Sequence, residues 1–320
     1  MKVFITTKLP GKVENILRKK GFTVSVHKED YHIDKKELIK KASGADALIC
    51  LLTDKIDKEI IASLKKCKII ANVAVGFNNI DTAFASENKI IVTNTPGILT
   101  DATADLTMAL LLAAGRRLAE GERIMRAGNF KGWAPGFLLG VELKDKILGI
   151  AGAGRIGTAV AKRGKAFGMK IIYADKNQNL FMEKELEAKK VSMENLLKIS
   201  DFLSLHLPLT EETFHIINRK NLKLMKRSAV LINTSRGEII NEKDLIGILK
   251  QKKIFAAGLD VYENEPMINK ELLKLENVVL LPHIGSATNE TRTKMALMAA
   301  ENVINVLNGK KAITHVNLIK

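Results

Sequence analysis

The stretch Lys146–Lys176, KILGIAGAGRIGTAVAKRGKAFGMKIIYADK, constrains what this chain can fold into more than any other. An apolar run, Ile147–Ala151, enters the turn Gly152-Ala153-Gly154-Arg155-Ile156-Gly157. A helix-patterned segment follows, then a β-rich run, Lys170–Ala174, that ends on Asp175, 23 positions after the first glycine. A bare G-x-G-x-x-G is weak evidence. Here strand, turn, helix and acid stand in the order of a dinucleotide-binding βαβ unit. Gly152 permits the tight turn, Gly154 has no Cβ to block a pyrophosphate, and Gly157 lets the helix pack closely on the sheet. The helix start offers unpaired N–H groups and a positive dipole end to the phosphates. Asp175 is placed to accept from ribose hydroxyls and to repel a 2′-phosphate. That favours NAD(H), while the neighbouring Lys176 leaves NADP(H) use open.

The rest of the chain must be compatible with that unit. At 320 residues it is long enough for about two domains. With 46% hydrophobic residues its composition is that of an ordinary soluble protein, and its longest apolar run, around Met108–Ala114, falls short of the roughly 20 residues that span a bilayer. MKVFITTKLP reads as a first strand rather than a signal peptide, so the expected location is cytoplasmic. Cys50 and Cys67 sit in apolar runs with no partner at metal spacing and read as buried thiols; no metal site is expected. A net charge of +16 raises the question of nucleic acid, but the lysines are scattered and aromatics are 5%. A solvated basic surface that attracts small anions fits better.

Before the glycine-rich unit, strands and helices alternate: Val3–Thr6, Gly11–Lys20, Thr23–His27, Lys35–Ala42, Ala47–Leu52, Lys58–Lys65, Ile69–Val73, Thr82–Asn88 and Ile90–Thr93. This rhythm predicts a parallel sheet covered on both faces. It carries no phosphate loop, so the segment is a companion domain. Pro96-Gly97 marks a crossing. A long, unusually apolar helix is expected from Asp101 to about Ala127, between domains or between subunits, and the loop 128–140 holds the only tryptophan, Trp133, expected as a packing anchor or else as a cover over a neighbouring active site. After the cofactor unit, strands are predicted at Phe202–Leu205, Ala229–Asn233, Ala256–Leu259 and Val278–Leu280, with helices at Asn221–Leu224 and Glu242–Lys250. A closing helix, Asn289–Leu307, is stopped by Gly309.

Ligands of doubly wound sheets bind at the carboxyl ends of the strands. Four polar residues follow strand-like runs in this way or lie close by: Arg236, Asp260, Glu265 and His283. Arginine, carboxylate and histidine suit a reaction at the carbonyl of a 2-oxo acid. Histidine is the natural proton donor near neutral pH. A carboxylate holds an imidazole in place and favours its charged form, and arginine's planar fork binds a carboxylate. His27, His32, His215 and His315 have no such context.

At this point the chain resembles a known family, the D-isomer-specific 2-hydroxyacid dehydrogenases. The motifs that carry the resemblance are VAVGFNNID (73–81), NTPG (94–97), GAGRIG (152–157), LHLPLT (205–210), LINTSRG (231–237), GLDVYENEP (258–266) and LPHIGSAT (281–288). It implies two doubly wound parallel-sheet α/β domains, a Rossmann cofactor domain (99–284) inserted into a flavodoxin-like substrate domain (1–98 plus 285–320). It implies Arg236 as the substrate-binding catalytic arginine, His283 as acid/base and Glu265 as its partner. Val75 and Gly76 would bind the substrate carboxylate through backbone N–H groups. Arg155 and Ile156 would lie at the pyrophosphate, and Thr103, Leu207, Pro208, Thr234, Ser235, Asp260 and Gly285 would line the rest of the cofactor site, where Arg236 and His283 also stand. A homodimer is implied, with the long helix in its interface. Asp105 replaces a common glutamate, and Lys176 a common proline.

Within that family the chain looks most like the glyoxylate/hydroxypyruvate reductase group, through TPGILTDATADLTMALLLAAGRR. D-3-phosphoglycerate or D-lactate-type dehydrogenases are the alternatives. An NADH-sensing scaffold is a reading from another class, against which the presence of Arg236, Glu265 and His283 together argues.

Overall fold

The computed structural model describes residues 1–28 and 33–318; His32 lies outside the described residues. The chain divides into two compact units, Met1–Leu99 with Ser286–Lys320, and Thr100–Gly285.

In the first unit β1 (Lys2–Ile5), α1 (Val13–Lys19), β2 (Thr23–Val26), α2 (Lys35–Ala42), β3 (Ala47–Cys50), α3 (Lys58–Ser63), β4 (Ile69–Asn72), α4 (Thr82–Glu87) and β5 (Ile91–Thr93) alternate. The strands form one sheet in the order β2-β1-β3-β4-β5, every pair parallel. β3 and β4 are buried at every position, as strands covered on both faces must be. One face carries Leu38, Ile60, Ile61 and Ala85 from α2–α4. The other carries Val13 and Leu17 of α1 with Ala296, Ala299 and Val303. Asp34, Asp57 and Asp81 cap α2, α3 and α4 by accepting from first-turn N–H groups.

The second unit begins with α5 (Thr100–Gly115) and α6 (Leu118–Arg126). β6 (Ile147–Ala151), α7 (Arg155–Ala166), β7 (Lys170–Ala174), α8 (Leu180–Glu185), β8 (Lys189–Lys190) and α9 (Met193–Ile199) follow. β9 (Phe202–Leu205), α10 (Arg219–Leu222), β10 (Val230–Asn233), α11 (Glu242–Lys250), β11 (Ala256–Leu259) and β12 (Val278–Leu280) complete it, before α12 (Asn289–Leu307) returns to the first unit. Its seven-stranded parallel sheet runs β12-β11-β10-β9-β6-β7-β8. The chain therefore winds one way from β6 to β8 and the other way from β9 to β12, reversing between β6 and β9. Leu196, Leu222, Leu245 and Leu249 cover one face; Met108, Leu111, Val160 and Met182 cover the other.

Four expectations need correction. The single helix expected from Asp101 to Ala127 is two helices. Gly115 packs on the Phe202 ring and gives its carbonyl to Val141 N at 2.8 Å, while Arg117 takes a left-handed conformation (φ 54°) and forks onto Glu120. The apolar length of α5 is accounted for inside its own unit, where Ala104, Met108, Leu110, Leu111 and Ala114 join the core. Trp133 anchors nothing in this chain, being 82% exposed. The short helix expected at 221–224 begins two residues earlier because Asn218 caps it, accepting from Lys220 and Asn221 N–H.

Candidate active site

All seven strands of the second unit are parallel, so their carboxyl ends lie along one edge of the sheet. Gly152 leaves β6 at φ 96°, and a Cβ there would lie 2.6 Å from His206 O. A Cβ on Gly157 would lie 2.1 Å from Gly152 O, so the helix can approach the turn only as glycine. Gly154 has open space where its Cβ would project, and as N-cap of α7 it supplies no side-chain acceptor. The first helical bond is Thr158 N to Gly154 O, at 2.9 Å, which leaves the N–H groups of Arg155, Ile156 and Gly157 without a helical carbonyl. Asp175, just past β7, accepts from Ala153 N (2.8 Å) and Asn177 N (2.9 Å), which fixes its carboxylate beside the turn. Lys176 is ion-paired with Glu212. An open glycine cradle, an uncapped helix start and a fixed carboxylate fit a dinucleotide, with its phosphates at the cradle and a ribose at the acid.

Further along the same edge, Leu207 and Pro208 follow β9, and Thr234, Ser235 and Arg236 follow β10. Buried Asn233 shapes that second turn: its Oδ1 accepts from Ser235 N and Oγ, and its Nδ2 donates to Arg236 O. Thr107 of α5 donates to Thr103 O at 2.7 Å, so in its 2.8 Å contact with Thr234 Oγ1 the hydrogen must come from Thr234. Burial pulls the Arg236 guanidinium below its ordinary pKa, against the charges of Glu238 and Glu265.

His283 follows β12 in a left-handed conformation (φ 53°). Its Nδ1 lies 2.7 Å from Glu265 Oε2, and Glu265 Oε1 accepts from Tyr262 N at 3.0 Å. Burial pushes the Glu265 carboxyl upward. The hydrogen bond and charge of His283, the Tyr262 N–H and the charge of Arg236 outweigh it, so the group sits below its ordinary value. Asp260, 1% exposed, accepts from Ile284 N (2.8 Å) and Gly285 N (2.7 Å), and Thr103 Oγ1 donates to Gly285 O (3.1 Å). Asp260 and Thr103 thus hold the two residues that follow His283.

Val75 and Gly76 lie in the first unit, half-buried in the loop after β4. Thr107, Asn233 and His206 also belong to the strand-end edge of the second unit and were not expected there from the sequence. Thr103 and Thr107, one turn apart on a helix, were a usable signal. His206 lies beside the glycine turn, its Nε2 2.8 Å from Ser204 Oγ, and burial drives its pKa down to about 3. Among the described residues no cluster of His, Cys, Asp or Glu could hold a metal ion.

Residues 108–285 match the sequence profile described as "D-isomer specific 2-hydroxyacid dehydrogenase, NAD binding domain". The chain is also 51% identical over 315 residues to a glyoxylate reductase of Thermococcus litoralis, a match spanning 97% of this chain and 94% of that protein. The chain belongs to the D-isomer-specific 2-hydroxyacid dehydrogenase family. As a D-2-hydroxyacid dehydrogenase it is an oxidoreductase that works with a nicotinamide cofactor. A crystal structure from Thermus thermophilus superposes on this dehydrogenase with a TM-score of 0.93 at 44% identity, covering 99% of this chain and 100% of that one. An NADPH-dependent glyoxylate/hydroxypyruvate reductase of Sinorhizobium meliloti, solved with NADP and malonate, has a TM-score of 0.87 at 29% identity over 98% of this chain and 96% of its own.

Proposed function

We propose that this dehydrogenase reduces glyoxylate, and hydroxypyruvate as a second substrate, to the 2-hydroxy acid. The observation that carries the reading is the 2.7 Å contact between His283 Nδ1 and Glu265. It engages one ring nitrogen and leaves Nε2 as the atom that holds the transferable proton. Glu265 is fixed by Tyr262 N–H, so the imidazole is held in one orientation. When bound, the nicotinamide supplies the hydride. Arg236 binds the substrate carboxylate and polarises the adjacent carbonyl, the amides of Val75 and Gly76 receive the carboxylate, and His283 delivers the proton to the carbonyl oxygen. The glyoxylate reductase relatives support the choice of substrate.

NADH oxidation tests this with glyoxylate, hydroxypyruvate, pyruvate and 3-phosphohydroxypyruvate, each repeated with His283→Ala. The expected result is turnover of the first two and a loss of about 10²–10⁴ in kcat for the variant. NADH binding with no turnover of any 2-oxo acid refutes the reading and favours the sensing scaffold.

The cofactor domain is residues 99–284 and the substrate domain 1–98 plus 285–320. NAD(H) is preferred: Asp175 presents a fixed carboxylate where a 2′-phosphate would stand, and Lys176 is already paired with Glu212. The homodimer interface includes α6 and the loop after it. α6 buries no residue in its own chain, and Leu118, Met125, Phe130, Trp133, Phe137 and Leu139 are all exposed. A monomer by light scattering at micromolar concentration would refute this assignment. A cytoplasmic location accords with two buried free thiols. Among the described residues no helix is long and apolar enough to cross a membrane.

A further inference from the structure

The loop after β4 is held in an unusual way. β4 and β5 are in register with Ala71 opposite Thr93, so Asn72 and Asn94 stand side by side just where the two strands end. Three consecutive carbonyl oxygens of the loop turn back toward those strand ends. Ala74 O accepts from Thr95 N at 2.8 Å, Val75 O from Asn94 Nδ2 at 2.8 Å, and Gly76 O from Asn72 Nδ2 at 2.9 Å. Among the described residues the one cis peptide is Glu265–Pro266, so these three peptides are trans. In a trans peptide the N–H points opposite to the C=O of the same plane. Anchoring the carbonyls of residues 74, 75 and 76 inward therefore turns the N–H groups of Val75, Gly76 and Phe77 outward. Among the described residues none of those three amides is hydrogen-bonded within the protein.

The anchors are themselves fixed. Asn72 is fully buried; its amide also donates to Asn79 Oδ1 (3.1 Å), and its Oδ1 accepts from Cys50 Sγ (3.6 Å). Asn79 Nδ2 in turn donates to Leu51 O and Asp54 O, both at 3.0 Å. The backbone of Asn94 is gripped from both sides by Thr314, whose O accepts from Asn94 N (3.2 Å) and whose Oγ1 donates to Asn94 O (2.6 Å). Only a neutral donor suits this place. Aspartate would set its carboxylate against a carbonyl, and an ammonium buried here would need a counter-charge.

We propose that Asn72 and Asn94 are positioning residues for the substrate. By holding the carbonyls of Gly76 and Val75 inward they preset a row of three donors, Val75, Gly76 and Phe77 N–H, for the carboxylate of the 2-oxo acid. The row is oriented before the anion arrives, so binding requires no reorganisation of the loop. The proposal rests on the reading of Val75 and Gly76 as carboxylate binders, and it adds Phe77 as a third donor and the two asparagines as the cause of the geometry.

Two measurements test it. Asn94→Ala and the milder Asn94→Ser and Asn72→Ser should raise the KM for glyoxylate about five- to tenfold, with kcat within about twofold. The NADH dissociation constant, read by fluorescence titration, should stay at the wild-type value. Separately, in ¹⁵N-labelled wild-type protein with NADH, the amide resonances of Val75, Gly76 and Phe77 should shift saturably with added oxamate, and Asn94→Ser should weaken that titration by a similar factor. If wild type binds oxamate through these amides and turns over no 2-oxo acid, the reductase reading fails and this proposal stands. If wild type reduces glyoxylate while the three amides do not respond, or a folded Asn94 variant keeps its KM within twofold, the proposal is overturned. A substitution with a merely structural effect would lower thermal stability without splitting KM from kcat.

Discussion

Asp260→Asn separates what a buried carboxylate contributes to function from what it costs in stability. Both Asp260 oxygens accept backbone N–H groups, from Ile284 and Gly285, at 2.8 and 2.7 Å. An amide keeps one acceptor and presents an NH₂ to the other donor, so one charge-assisted hydrogen bond of about 1.5–3 kcal/mol is lost. The turn it holds carries His283 at φ 53°, a conformation that disfavours any residue but glycine by about 1–2 kcal/mol. Losing the bond and relaxing the strain act in the same direction. Together they shift the turn by about 2.5–5 kcal/mol, which is a factor of about 60 or more in the population with His283 in place. Because the native turn has a margin of its own, kcat for glyoxylate reduction should fall at least tenfold.

Folding stability should change little by comparison. Burial raises the Asp260 carboxyl above its ordinary value, against the Ile284 and Gly285 N–H groups and the charge of His283. A group whose folded pKa is raised loses stability as the pH rises through that pKa, so the ionised carboxylate is a cost near neutral pH that asparagine removes. The assays are steady-state kinetics, NADH titration and urea unfolding at pH 7. Asp260→Asn with kcat within twofold of wild type refutes the argument. An unchanged kcat with weaker NADH binding would instead make Asp260 a contact for the nicotinamide.

Other perturbations have equally definite outcomes. Glu265 has a folded pKa below its ordinary value, so its contribution to stability is complete above that ordinary value and is lost as pH falls through the lower one. The difference in urea stability between wild type and Glu265→Gln should therefore be largest near pH 7 and shrink toward pH 3; a difference that grows on acidification contradicts this. His206, with its pKa at about 3, is neutral at working pH, so His206→Asn should leave the midpoints of the pH–rate profile in place. A displaced midpoint would show that this imidazole titrates in the working range. Asp175→Asn removes the charge beside the ribose site while keeping one acceptor, and the NADPH-to-NADH ratio of dissociation constants should fall about tenfold. An unchanged ratio in fluorescence titrations would refute the charge-repulsion account of cofactor choice.

Much of the architecture was legible because it rests on local chemistry. The glycine turn needs Gly152 at positive φ and Gly157 under a carbonyl, and no other residue types serve, so the sequence reads unambiguously there. Buried parallel strands appear as continuous apolar runs, and most ends fall within two residues of expectation. Features set by distant partners were not legible. The break between α5 and α6 depends on Phe202 and Val141, which no pattern around Gly115 announces. α8, β8 and α9 passed unnoticed because they are short and β8 is two exposed lysines, although Asn179 and Ser192 cap the helices in the usual way. At the site, motif order singled out Glu265 and His283, and the structure brings them together. Asn72 and Asn233 read in sequence only as residues at the ends of apolar strands and Asn94 only as part of a motif; that each holds a loop follows only from what their amides touch.

The Thr103–Gly285 hydrogen bond has a consequence for chain entropy. It ties the first turn of the second unit to that unit's last residue, at 3.1 Å. The first unit is split in sequence, and bringing α12 back to β3 and β4 through a flexible loop of such length would cost about 4–5 kcal/mol in closure. Once Thr100–Gly285 has folded, its two ends are already held together and most of that cost disappears for the remaining segments. The second unit is therefore expected to fold first and, expressed alone as residues 100–285, to unfold cooperatively. The pieces 1–99 and 286–320 should gain order only when that unit is present to join them.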